Sequence, residues 1–208
     1  MAGQDTRQVP DTTRDRSAQK SRTREAILAG AREVLARGEP VTVNAAAEAA
    51  GISRATAYRY FSDPAVLAAE AGLAVQVWPY DKVIEGTVTS REKVLAVSLY
   101  IFDLSVQHET AFRTFLARNL DAWIAENGKR SLRGARRVPM FEAALDADRH
   151  RLSDGDFRDL VSALTLATGS EAMLALHDIA EVSGEDARRA VRVIAEALLD
   201  RYLGPAPS

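Results

Sequence analysis

Residues 42–61, TVNAAAEAAGISRATAYRYF, constrain the fold more than any other part of the chain. Two short helical runs, Val43 to Ala50 and Ser53 to Tyr60, meet at Gly51 and have the dimensions of a helix-turn-helix. Glycine alone reaches positive φ without steric cost, so a sharp turn is expected there. Thr42 and Ser53 stand where N-capping side chains belong. The helices must pack closely at such a turn, which the small side chains of Ala46, Ala47, Ala50 and Ala57 permit, and Ile52 plugs the gap. The second run leaves Arg54, Thr56, Tyr58, Arg59 and Tyr60 on a face that is polar yet aromatic. Guanidinium groups suit guanine edges and hydroxyls suit phosphate oxygens, so this surface fits a DNA major groove.

A third helix precedes the pair. Ile27, Leu28, Ala31, Val34 and Leu35 recur at i, i+1, i+4, i+7 and i+8 from Ser21 onward, and Gly38 and Pro40 end the stripe. Residues 1–19 are polar without apolar periodicity and are expected to form a disordered arm. The chain thus divides into an arm at 1–19, a DNA-binding domain at 20–62 and a second domain at 63–208. In the second domain the apolar residues keep helical spacing and alternating strands are missing, so the fold is expected to be all-α. Helices are expected near 63–78, 90–107, 109–126, 138–150, 154–179 and 184–203.

Composition narrows the setting. The chain of 208 residues can bury a proper core. Without cysteine it has no disulfide, thiolate zinc site or thiol nucleophile, as suits a reducing compartment, and a cytoplasmic location is expected. The first two dozen residues have no apolar signal region and no later stretch has the length of a membrane span, so neither secretion nor membrane insertion is expected. The net charge is −2, which argues against indiscriminate coating of nucleic acid. Between Lys20 and Phe61, however, seven Lys or Arg face four acids, a balance of 7 − 4 = +3.

The run ILAGAREVLARG followed by AEAAGISRATAYRYF resembles the DNA-binding domain of TetR-family regulators over roughly residues 22–70. Ala47, Ala50, Gly51, Ile52 and Ser53 match the family's turn, and Tyr58 and Phe61 its Tyr-x-x-Phe ending. The resemblance implies phosphate contacts from Thr42, Tyr58 and Tyr60, and base contacts from Arg54, Ala55, Thr56 and Arg59. Asn44 would reach a base or a phosphate. Two departures stand out. Pro64 follows Ser62 and Asp63 where many members place a phosphate-binding lysine, and Ala46 and Ala57 replace larger aliphatics. Lys20, Arg22 and Arg24 would compensate by holding phosphate or entering a minor groove.

The resemblance further implies a homodimer on a double-stranded operator of inverted-repeat character. It also implies repression relieved by a small molecule, with no cofactor and no enzymatic role. The fourth helix, Pro64 to about Trp78, would then transmit the ligand's effect. Dimerisation is expected through the last two helices, where Ala163, Ala167, Gly169, Ser170, Ala172 and Ala175 permit close approach. Trp78, Phe102, Phe112, Phe115, Trp123, Met140 and Phe141 are the candidates for lining a pocket for a mostly apolar ligand, although helical spacing places aromatics in cores regardless. His108, His150 and His177 lack metal-type spacing, and nothing fixes an acid–base pair among Asp146, Asp148, Glu171 and His177. A helical enzyme or lipid-binding module is the competing class; a DNA-binding activator is a third.

Overall fold

The computed structural model describes residues 12–74, 77–125 and 136–205. Its helices are α1 (Thr12–Ala36), α2 (Val43–Ala49), α3 (Arg54–Tyr58), α4 (Pro64–Ala74), α5 (Tyr80–Val83), α6 (Ser90–Gln107), α7 (Glu109–Ala125), α8 (Arg137–Ala144), α9 (Asp154–Leu166), α10 (Ser170–Leu174) and α11 (Gly184–Leu203). A 3-10 segment, Asp146–Arg151, follows α8, and a π-helical turn, Ala175–Ile179, continues α10. No strand occurs among the described residues, so the fold is all-α as expected. Among them no single helix is long and apolar enough to cross a membrane.

Two compact units divide the chain. One takes the described residues within Met1–Val75 and Ala122–Leu132, the other those within Gln76–Asp121 and Arg133–Ser208. The first has its own core, built by Ile27, Leu28 and Ala31 of α1, Val43, Ala46 and Ala47 of α2, Ala57 of α3, Phe61, and Val66, Leu67 and Ala71 of α4. Helix α4 therefore belongs to this unit, beyond the boundary drawn after residue 62. Gly30 sets how closely α1 and α2 approach. A Cβ there would overlap the Ala46 carbonyl and lie 2.9 Å from the Ala50 nitrogen.

The second unit packs α6, α8, α9 and α11 around Val94, Val97, Phe141, Leu145, Leu160, Leu164 and Leu199. A smaller cluster joins Leu99 and Phe102 of α6 to Met173, Ala187 and Val191. Helix α6 begins with a complete capping box: the Thr89 hydroxyl accepts from the Glu92 amide, and the Glu92 carboxylate accepts from the amides of Thr89 and Val88 at 2.8 and 2.9 Å. These bonds hold the Glu92 carboxyl below its usual range, with the Thr89 amide the largest cause.

Four sequence expectations change. Helix α1 starts at Thr12, so residues 12–19 are helical rather than part of an unordered arm; residues 1–11 lie outside the described residues. The helix expected at 63–78 ends at Ala74, and Pro79, which lacks an amide to donate, starts the separate short α5. The segment expected at 138–150 is α8 followed by the 3-10 stretch. The helix expected at 154–179 breaks after Leu166. There Gly169 has a φ of +81°, the Thr168 hydroxyl donates to the Ser98 carbonyl at 2.8 Å, and the Arg137 guanidinium donates to the Thr168 carbonyl at 3.1 Å. Buried Thr168 is thus tied to α6, and the Arg137 guanidinium occupies the space a Cβ on Gly169 would need.

Two outcomes are expected. Gly30→Ala forces α1 and α2 apart and lowers unfolding stability by about 2–3 kcal/mol despite alanine's better helix propensity, measured by urea denaturation. Because the folded-state pKa of Glu92 lies below its usual value of 4.5, its contribution is present above that value and is lost as pH falls through the lower folded one. Glu92→Gln keeps an acceptor in the box but removes the titration. Its stability therefore falls less between pH 7 and pH 3 than the parent's in thermal melts at both pH values.

Candidate nucleic-acid interface

Local chemistry alone shapes the turn between α2 and α3. The Thr42 hydroxyl accepts from the Ala45 amide at 3.0 Å and starts α2. At the other end the Gly51 amide donates to the Glu48 carbonyl at 3.1 Å and the Ile52 amide to the Ala47 carbonyl at 2.9 Å. This pair of bonds is a Schellman motif, and it requires the positive φ of +65° that Gly51 adopts. Ile52 then packs on the first core, as the sequence predicts. Ser53 caps α3 by accepting from the Thr56 amide, and its hydroxyl donates to the Thr56 hydroxyl at 2.9 Å.

Helix α3 is oriented by what it buries. Ala57 is fully buried, and Phe61, four residues on, is 2% exposed. With those two turned inward, Arg54, Ala55, Tyr58 and Arg59 face outward and are exposed. Thr42 and Asn44, at the start of α2, are exposed as well. Thr56 and Tyr60 are half-buried, the first engaged with Ser53 and the second packed on the core. Among the described residues neither Arg54 nor Arg59 forms an ion pair or a side-chain hydrogen bond, so both guanidinium groups face outward with their donors unspent. Six of the eight residues expected at a DNA surface are thus exposed on α3 and the start of α2.

The basic residues ahead of the motif separate. Lys20 and Arg22 are exposed, whereas Arg24 turns inward. Its guanidinium lies 4.7 Å from the centre of the Phe61 ring and forms a two-pronged ion pair with Glu70, with 12% and 8% of the two side chains exposed. Arg24 therefore does not serve as the phosphate or minor-groove contact the sequence suggested. It ties α1 to α4 across the last residue of the motif. An arginine facing an acid 46 positions away leaves no local signal. At α4, the Asp63 carboxylate accepts from the Ala65 amide at 2.7 Å and Pro64 fills the first helical position. The residues are used as a cap, and no lysine contact takes their place.

The candidate ligand residues disperse within the second unit and beyond. Phe102, Met140 and Phe141 are buried core side chains, Phe112 and Phe115 are half-buried, and Trp123 is exposed. Of the seven, Trp78 alone lines a cavity of about 450 Å³ beside α6. Among the described residues no group of His, Asp and Glu is arranged to hold a metal ion.

Removing one partner of the Arg24–Glu70 pair leaves a buried charge. Glu70→Leu is expected to lower stability by about 3 kcal/mol, and the double variant Arg24→Met with Glu70→Leu to recover most of that loss, in parallel denaturant titrations.

Residues 27–71 match the family model described as bacterial regulatory proteins, tetR family. No curated protein and no solved structure matches the chain.

Proposed function

We propose that this chain, a DNA-binding transcriptional regulator by its tetR-family N-terminal module, works as a homodimeric repressor released by a small molecule. The observation that carries the reading is the outward face of α3 within the matched segment, where Arg54 and Arg59 stand beside Tyr58 without a side-chain partner among the described residues. In this reading α3 lies in the major groove. Arg54, Ala55, Thr56 and Arg59 approach base edges, while Thr42, Tyr58 and Tyr60 hold phosphates and Asn44 serves either role. The Thr42 oxygen already accepts a capping bond, which leaves its O–H to donate to a phosphate oxygen.

A dimer supplies two such helices to half-sites about one helical turn apart or a multiple of it. Leu166, Ile179, Val193 and Ile194 of the second unit expose apolar side chains, 46–83% accessible, that a partner subunit would cover. A ligand held in the second unit changes the affinity for DNA, and DNA changes the affinity for the ligand by the same factor. The absence of cysteine and the DNA target fit a cytoplasmic protein.

The test is a selection of bound genomic fragments by the purified protein at near-physiological salt with random DNA as competitor. Enrichment of an inverted repeat, bound with two chains per site, is the expected result; failure of a folded protein to enrich any sequence removes the reading. On the enriched site, Arg59→Ala is expected to weaken binding by about 1–3 kcal/mol and to relax specificity at one position. Tyr58→Phe is expected to weaken specific and random DNA alike. Fluorescence anisotropy with both duplexes checks the pair.

A further inference from the structure

The cavity beside α6 has a graded lining. Ala96, Leu99, Tyr100, Asp103, Leu104 and Gln107 recur at i, i+3, i+4, i+7, i+8 and i+11, one stripe of a single helix. The first part is apolar and aromatic, with Val83 and Trp78 facing it. Trp78 is fixed there: its ring stacks on Tyr100 with centroids 5.5 Å apart, and its amide donates to the Tyr100 hydroxyl at 2.5 Å. Toward the C-terminal end of α6 the lining becomes polar, with Asp103, Gln107 and His108 joined by Arg188 of α11.

The charges in this lining are unevenly spent. The Arg188 Nε donates to both Asp103 oxygens, at 3.2 and 3.1 Å, which neutralises the carboxylate. The two Nη groups of Arg188 have no hydrogen-bond partner among the described residues, and about a third of the side chain is exposed. Asp103 is the single acid in the lining. Lys82 lies outside the lining, with its ammonium 4.4 Å from the centre of the Trp78 ring. A cationic ligand would have to displace Arg188 from Asp103. A neutral one would cover Arg188 and, with at most a single carbonyl oxygen to offer, leave Nη donors unpaired, which is costly. The Nη1–Nη2 edge of a guanidinium matches the two oxygens of a carboxylate.

We infer that this cavity takes an organic carboxylate whose aromatic or aliphatic body lies along Leu99, Leu104, Val83 and Trp78 while its carboxylate meets the Nη edge of Arg188. The Gln107 amide and a His108 ring N–H stand at the same end as further donors. A volume of about 450 Å³ holds a body of one or two rings or a medium acyl chain. The inference names the ligand class for the ligand-released regulator proposed above and rests on that reading for its role, but not for its binding.

The test uses the full-length protein and three matched probes: 2-naphthylacetate, 2-naphthylacetamide and 2-(2-naphthyl)ethylamine. Binding is measured by calorimetry. The carboxylate is expected to bind at least about tenfold more tightly than the amide, and the amine more weakly than either. Arg188→Gln is expected to bring the carboxylate down to the amide's affinity or below it, because Asp103 then stands without its cation, while the amide's own affinity changes by far less than the carboxylate's. Arg188→Lys keeps a cation beside Asp103 but lacks the fork; it is expected to fall between parent and Arg188→Gln, which guards against a folding defect in the glutamine variant. Equal affinities for the three probes, preference for the amine, a carboxylate preference that survives Arg188→Gln, or no binding by the folded parent would each overturn the inference. Displacement of the selected operator is followed in parallel. Arg188-dependent carboxylate binding that leaves DNA bound upholds the inference and removes the ligand-release reading; DNA release by the amide but not the carboxylate does the reverse.

Discussion

The first unit depends on how close α1 and α2 can come. Gly30 faces the backbone of α2 with no side chain, and Ala46, Ala47 and Ala57 fill the space beneath with single methyl groups. Protein interiors are packed as densely as organic crystals, so a change of one carbon at such a contact is felt by both helices. The alanines that stand where larger aliphatics are common are therefore not a weakness of the core. They match the narrow gap that Gly30 sets. A helix of five residues such as α3 has no stability of its own, and its orientation comes from burying Ala57 and Phe61 against this close pair.

What α3 presents to solvent follows from what it hides. With Ala57 and Phe61 inward, helical periodicity leaves Arg54, Ala55, Tyr58 and Arg59 outward, with no acid among the described residues paired to either arginine. Arg24, pinned between Phe61 and Glu70, holds the end of the motif to α1 and α4. Two arginines of the same stretch thus differ: Arg24 is spent on the interior, whereas Arg59 is exposed and has no side-chain partner among the described residues. The same distinction holds within Arg188, whose Nε is spent on Asp103 while its two Nη groups have no hydrogen-bond partner among the described residues.

The parts of the fold legible in the sequence were those written locally. The caps at Thr42 and Ser53, the turn at Gly51 and the inward alanines all depend on neighbours within a few residues. The breaks that escaped notice depend on distant partners. Gly169 sits among small residues that read as a smooth interface helix, and what opens the chain there comes from Ser98 and Arg137, 70 and 31 positions from Thr168. The start of α1 was missed because residues 12–19 carry no apolar stripe, and hydrophobic periodicity does not register a polar helix. Of the large side chains expected to line a pocket, the cores take Phe102, Met140 and Phe141. The stripe of α6 that lines the cavity mixes Leu99 and Tyr100 with Asp103, Gln107 and His108, and so reads as the solvent edge of a helix rather than a lining.

The most direct test of the central claim, that the outer face of α3 reads the major groove, is made on the DNA. In a duplex containing the selected site, guanines of one half-site are replaced in turn by 7-deazaguanine, which lacks the major-groove N7 acceptor, and by inosine, which lacks the minor-groove amine. Anisotropy titrations then compare the duplexes. The account predicts that at least one 7-deazaguanine weakens binding by about 1–3 kcal/mol, that Arg59→Ala or Arg54→Ala abolishes this difference, and that inosine has little effect. Sensitivity to inosine alone, or indifference to 7-deazaguanine at every position, would contradict it.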